Sequence, residues 1–207
     1  MLVAAAVLGL GIAVPGAPGK SPKKSCQGLA PTIVGTQGAD VISGTPGADV
    51  IAALAGNDQV SGNGGDDVIC GGSGRDTVQG GDGTDRVDGQ QGNDLLDGGV
   101  LGCCGPGNTG NDIVDGGRGR DTLHASDFGD NTLRGGQGAE ELHGWQGSDS
   151  IDGGNGQDVL EAFTGNDTLS GGNGRDRLDG GPGTDTLDGG RATDTCLNGE
   201  SNSNCEV

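Results

Sequence analysis

Gly171-Gly-Asn-Gly-Arg-Asp-Arg-Leu-Asp179 is followed without a break by Gly180-Gly-Pro-Gly-Thr-Asp-Thr-Leu-Asp188. Both halves spell one nine-residue word, Gly-Gly-x-Gly-x-Asp-x-aliphatic-x. Six residues of loop chemistry precede a three-residue strand with a single apolar side chain at its centre. Alternate side chains of a strand face opposite ways, so the aliphatic at position 8 points inward while positions 7 and 9 point outward. The glycines at positions 1, 2 and 4 tolerate positive φ and let backbone carbonyls approach a common centre. Two such words close one flattened coil, and successive coils stack strand on parallel strand.

Reading outward from Gly171, the word fills most of the chain. Ten consecutive words start at 35, 44, 53, 62, 71, 80, 89, 98, 107 and 116; after one extra residue near 125–131, eight more start at 126, 135, 144, 153, 162, 171, 180 and 189. Position 6 is aspartate in fifteen of the eighteen: Asp40, Asp49, Asp58, Asp67, Asp76, Asp85, Asp94, Asp112, Asp121, Asp149, Asp158, Asp167, Asp176, Asp185 and Asp194. Cys103, Asn131 and Glu140 are the exceptions, and the added residue leaves Asp130 as an alternative to Asn131. Position 8 is aliphatic in sixteen words, with Gly105 and Cys196 departing. A regular period of this length announces a solenoid before any other feature is weighed.

Composition agrees. Gly supplies 49 of 207 residues, there is no Tyr, and two Phe and one Trp cannot build a conventional aromatic core. The net charge of -19, from 30 acidic against 11 basic residues, argues against nucleic acid as a partner. One buried aliphatic per nine ordered residues is too little apolar burial to fold the chain, and stacked carboxylates repel. A hard divalent cation between loops reverses that balance, and an all-oxygen, flexible donor set selects calcium over magnesium.

The words quoted above, with Gly116-Gly-Arg-Gly-Arg-Asp-Thr-Leu-His124 and Gly153-Gly-Asn-Gly-Gln-Asp-Val-Leu-Glu161, resemble the calcium-binding nonapeptide of the RTX (repeats-in-toxin, hemolysin-type) family. The resemblance spans residues 35–197. It implies an all-β, right-handed parallel β-roll, two words per coil, with each calcium held between loops of repeats n and n+2. The fifteen position-6 aspartates are then the expected side-chain ligands, and loop carbonyls complete the shell. Eighteen repeats give sixteen n to n+2 pairs, of which the three substituted words spoil six, leaving about ten calcium sites. These fall in two blocks, Asp40 to Asp94 and Asp149 to Asp194, separated by a weaker waist around 98–143.

Outside the repeats, Met1 to Val14 is an apolar run followed by Pro15-Gly-Ala-Pro-Gly19, which reads as a secretory signal peptide over 1–19, without the usual basic start. A basic linker and N-terminal cap occupy 20–34, and 198–207 form a C-terminal cap. With the signal removed no membrane span is expected. Six cysteines suit an oxidising compartment and allow 15 pairings. Their positions favour Cys26 with Cys70, pinning the entry segment, and Cys196 with Cys205, closing the last turn; the adjacent Cys103 and Cys104 are left open.

No nucleophile elbow, HExxH, CxxC or phosphate-binding loop occurs, so no enzyme is expected. The expected function is a secreted, monomeric, calcium-dependent structural or adhesive protein of the cell surface. Its alternatives are a calcium-responsive interaction module or fragment of a larger secreted protein and, more remotely, a β-solenoid hydrolase or lyase. Partners other than calcium are a cell-surface polysaccharide or a protein. His124 and His143 both hold position 9 and fall about 5 Å apart on an outward face, while Trp145, Phe128 and Phe163 replace small loop residues and form a candidate glycan or protein contact patch. The position-9 acids Asp97, Asp115, Asp152, Glu161, Asp179 and Asp188 are expected on the surface, where they discourage association of edges and faces.

Overall fold

The computed structural model describes residues 25–99, 110–125 and 128–205. The segment expected to be a signal peptide, most of the basic linker and the Cys103-Cys104 pair therefore lie outside the described residues. Among those described there is no helix; nineteen strands alternate between two parallel sheets. Ten strands, from Ile33–Val34 to Ser201–Ser203, form one sheet, and nine, from Val41–Ser43 to Thr195–Leu197, form the other. The chain crosses from sheet to sheet at every word, so two words make a coil of the parallel β-solenoid that the repeat predicts.

Each word supplies one inward side chain, and these stack in register. Leu123 lies opposite Leu142, Leu142 opposite Leu160, and Leu160 opposite Leu178 in one sheet; Leu133, Ile151, Leu169 and Leu187 do the same in the other. All are buried and belong to a single core column running from Ile42 to Cys196. Burying one such side chain contributes about 1.5–3 kcal/mol, and β-branched or leucine side chains interlock well on the pleated faces.

Most strands of the larger sheet, seven of its ten, are longer than the three residues the word predicts. Ser150–Gly156 pairs with Thr168–Gly174 through Ile151↔Leu169 and onward through Gly154↔Gly172 and Gly156↔Gly174. The loop half of the word joins the ladder because identical backbones, repeated at one coil's spacing, present the same donors and acceptors to one another.

In the middle the pairing departs from the unbroken frame. Val87 pairs with Val114 and Leu96 with Leu123, steps of 27 residues where 18 is the rule. Gly98 still occupies the first position of a word, its N–H donating to the His124 carbonyl, and Gly110-Asn111-Asp112 completes that word. The solenoid thus skips nine residues, one word's length, within 100–109. Near 125–131 the one-residue addition falls before Asn131, which is buried at position 6, while Asp130 is exposed at position 5. Cys26 bonds to Cys70 and Cys196 to Cys205, as their positions predict. The first bridge lays the entry segment against Ala52 on the outside of the larger sheet.

Candidate metal centre

All fifteen aspartates singled out from the sequence are buried, none more than 7% exposed. They stand in two columns. One holds Asp40, Asp58, Asp76, Asp94, Asp121, Glu140, Asp158, Asp176 and Asp194; the other holds Asp49, Asp67, Asp85, Asp112, Asn131, Asp149, Asp167 and Asp185. Because the chain changes sheet at each word, the two columns occupy opposite edges of the roll.

One bond recurs along both columns. In most words the backbone N–H of the aspartate donates to Oδ1 of the aspartate one coil further on, as from Asp158 to Asp176 at 2.9 Å and from Asp176 to Asp194 at 2.8 Å. Where it is made, that bond fixes a carboxylate in the loop of its own coil and ties it to the coil before. The second oxygen is left over. In Asp58, Asp67, Asp76, Asp85, Asp94, Asp121, Asp149, Asp158, Asp167, Asp176, Asp185 and Asp194, Oδ2 is buried and accepts no hydrogen bond. Buried carboxylate oxygens without partners are costly, and a regular file of them marks a place built for something else to complete.

The space beside each Oδ2 is kept open by glycine. A Cβ on Gly171 would lie 2.7 Å from Asp176 Oδ2 and 2.6 Å from the carbonyl oxygen of Gly189 in the next coil. On Gly153 it would lie 2.8 Å from both Asp158 Oδ2 and the Gly171 carbonyl oxygen. A carboxylate oxygen and a carbonyl oxygen therefore converge where the side chain is missing. No group of three or more His, Cys, Asp or Glu side chains gathers among the described residues. A cation at each level would accordingly draw on aspartate Oδ2 and loop carbonyls, an all-oxygen set that fits a hard divalent ion such as calcium.

The electrostatics say the same. Burial, with neighbouring carboxylates of the column adding to it in most cases, pushes Asp85, Asp94 and Asp149 up to about 7 and Asp58, Asp67, Asp167 and Asp176 up to about 6. Glu140, buried opposite Asp158, is pushed up to about 8. Without positive charge between the coils these groups resist ionisation at neutral pH.

The waist needs correcting. With nine residues skipped, the Asp85 N–H donates to Asp112 and the Asp94 N–H to Asp121, both at 2.8 Å. Cys103 therefore interrupts neither column, and the two blocks expected from the sequence are one continuous array with a single substitution per column, Asn131 and Glu140. Columns of nine and eight members have 15 neighbouring pairs; each substitution touches two, leaving 11 intact pairs, where the sequence frame counted ten.

Other residues at the ends went unread in the sequence. Thr36 and Thr45 stand at position 2 of the first two words, and their N–H and hydroxyl groups donate to Oδ2 of Asp40 and Asp49. The first coil thus satisfies its own carboxylates and caps both columns. At the far end Glu200 accepts the Asp185 N–H in place of a further aspartate. It lies 15 residues on, outside the nine-residue frame, so the period could not find it. Asp97, expected on the surface, is buried and accepts the Gly99 N–H.

The profile described as RTX calcium-binding nonapeptide repeat matches residues 34–69, 43–78, 71–100, 106–127, 126–160 and 161–196. The chain belongs to the RTX calcium-binding nonapeptide-repeat family. The matched residues break within the segment that the ladder skips. A search of curated proteins finds no match. The family assignment, the parallel solenoid and the buried aspartates together make this RTX chain a calcium-binding repeat protein. Its family's repeats are structural and metal-binding elements, not catalytic ones.

Proposed function

We propose that this chain is a secreted, extracellular calcium-binding roll whose folding is coupled to calcium and which serves a structural or adhesive role at the cell surface. Its ligands are the position-6 aspartates of the two columns with the loop carbonyls beside them. The observation that carries this reading is the file of buried Oδ2 atoms without partners. A roll that hides so many carboxylates is unstable until cations neutralise them, so metal binding energy becomes folding energy. A calcium-poor cytosol then favours the unfolded chain and a calcium-rich exterior the folded one. Two disulfides suit that exterior.

Calcium titration followed by far-ultraviolet circular dichroism and native mass spectrometry tests it. β signal and compactness should appear together as about ten or eleven ions bind, eleven being the number of intact pairs. Equal β content in excess chelator at neutral pH would overturn the coupling.

A further inference from the structure

The chain has two His, one Trp and two Phe, and four of these five rings meet on one outer edge of the smaller sheet. His124 and His143, on adjacent strands Thr122–His124 and Glu141–His143, stack at 5.0 Å with planes 7° apart. Trp145 and Phe163 stack at 4.7 Å with planes 5° apart, and His143 meets both edge-on at 6.2 and 5.8 Å. None of them belongs to the core column. Trp145 is 38% exposed.

Two features argue that these rings serve a ligand and not the fold. Trp145 and Phe163 hold position 2 of their words, usually glycine, at φ of 72° and 68°. A bulky residue in that region is strained. Three other words also carry a side chain there at positive φ, Leu54, Asn63 and Gln90, but only these two place rings. One coil beyond Phe163 the same place is Gly181, so the stack ends with no side chain over it. The rim is made of planar, bidentate hydrogen-bonding groups: exposed Glu141 beside His143, and Arg177 bridging Glu161 at 2.9 Å and Asp179 at 3.3 Å.

We propose that this ring cluster binds a neutral glycan, with Trp145 and Phe163 packing against the C–H surface of one or two pyranose residues and Glu141, Glu161 and Arg177 taking their hydroxyls. Polarised C–H bonds suit the electron-rich faces of aromatic rings, and vicinal hydroxyls suit carboxylate and guanidinium forks. Size separates this from a protein partner. A stable protein interface needs about 800 Å² on each side, from some 20–30 residues, whereas four partly covered rings inside a charged rim match a sugar unit. The net charge of -19 turns away polyanionic glycans. The proposal rests on the calcium-folded roll, which brings the four rings together from separate words.

Trp145 is the sole tryptophan, so its emission reports the site directly. The calcium-loaded full chain is titrated with laminarihexaose, chitohexaose and dextran, and with heparin as the polyanion. A saturable change in Trp145 emission with at least one neutral glycan, and none with heparin, is expected. Trp145→Gly and Phe163→Gly restore the residue that suits this backbone, so calcium-dependent circular dichroism should persist. Calorimetric affinity for the same glycan should fall about tenfold or more, at least 1.4 kcal/mol. The proposal is overturned if a folded chain answers none of the neutral glycans, answers heparin alone, captures only a protein, or binds glycan undiminished in both variants. A chain already folded in chelator would refute the calcium reading and leave the emission readout intact, so the two ideas fail separately.

Discussion

Gly47 and Gly174 hold the same fourth position of their words, and the sequence gives no reason to treat them differently. The solenoid does. Gly47 lies in the first coil, where a Cβ would meet nothing within 4 Å. Gly174 lies under a preceding coil at φ of 145°, and its Cβ would sit 2.5 Å from the carbonyl carbon of Gly156 and closer still to the oxygen, where real contacts stay beyond 3.0 Å. Gly174→Ala must therefore push two coils apart along a ladder whose ordinary spacing is about 4.8 Å. The Gly-only backbone region costs on the order of 1–3 kcal/mol. The displaced bond from the Gly174 N–H to the Arg191 carbonyl, 3.1 Å in the intact roll, adds about 1 kcal/mol. Together these give a loss of roughly 2–4 kcal/mol, whereas Gly47→Ala should be neutral or stabilise by up to about 1 kcal/mol through the unfolded chain. Urea unfolding at fixed, saturating calcium reads the difference: at an m-value of about 2 kcal/mol/M the Gly174→Ala midpoint falls by roughly 1–2 M. Native mass spectrometry of that variant should also show weakened occupancy around Asp158, Asp176 and Asp194. Equal midpoints for the two variants would refute the stacking argument.

Deleting residues 101–109 should leave β signal and calcium count unchanged, because Gly98-Gly99-Val100 then runs directly into Gly110-Asn111-Asp112 as one regular word; deleting the word 162–170 should lower both, since every later strand changes sheet. Acidity should have opposite effects with and without calcium. The buried aspartates have folded values near 6–7, raised above 3.8, so their contribution to the metal-free roll is fully present below about pH 3.8 and is lost as pH rises through 6 to 7. In chelator, β signal should therefore grow as pH falls from 7.5 toward 5, while calcium affinity, read by calorimetry, weakens over the same range as protons compete for Oδ2.

Most of the roll was legible because one word states strand, loop and ligand at once. The Leu column, the burial of Asp176, the two disulfides and the His124 to His143 approach all follow from period and parity. What stayed hidden is what leaves the period undisturbed or lies outside it. The surplus within 100–109 is nine residues long, so it preserves the frame while displacing the pairing, and only the bond from Asp85 to Asp112 exposes it. Thr36 and Thr45 replace glycine at position 2 of the first two words, and their bonds to the Asp40 and Asp49 carboxylates are not stated by the period. Glu200 acts at the far end from outside the frame. Asp97 is buried, whereas the other position-9 acids are half-buried or, like Asp152, exposed, a distinction that its word does not carry.

The remaining weakness is a single coil. Asn131 and Glu140 occupy consecutive words, so both columns lose their aspartate at the same level, one at each edge. The bond along the column continues from Asp112 to Asn131 and from Glu140 to Asp158, but neither Glu140 carboxyl oxygen accepts one, so at that step only the backbone pairing, Glu141 N–H to the Asp121 carbonyl, carries the ladder on. Asn131 brings no charge. Glu140, buried against Asp158 and pushed up to about 8, resists ionisation in the metal-free roll, and its longer side chain displaces the carboxylate from the place an aspartate fills. In a nearest-neighbour solenoid such a level is where two cooperative segments meet. His124, His143, Trp145 and Phe163 clasp the coils around it from outside. Replacing both residues by aspartate restores four pairs, raising the intact number from 11 to 15. Asn131→Asp with Glu140→Asp should then bind up to four more calcium ions by native mass spectrometry. It should also sharpen the calcium-dependent folding transition into one step; an unchanged ion count in a folded double variant would show that position 6 does not govern occupancy.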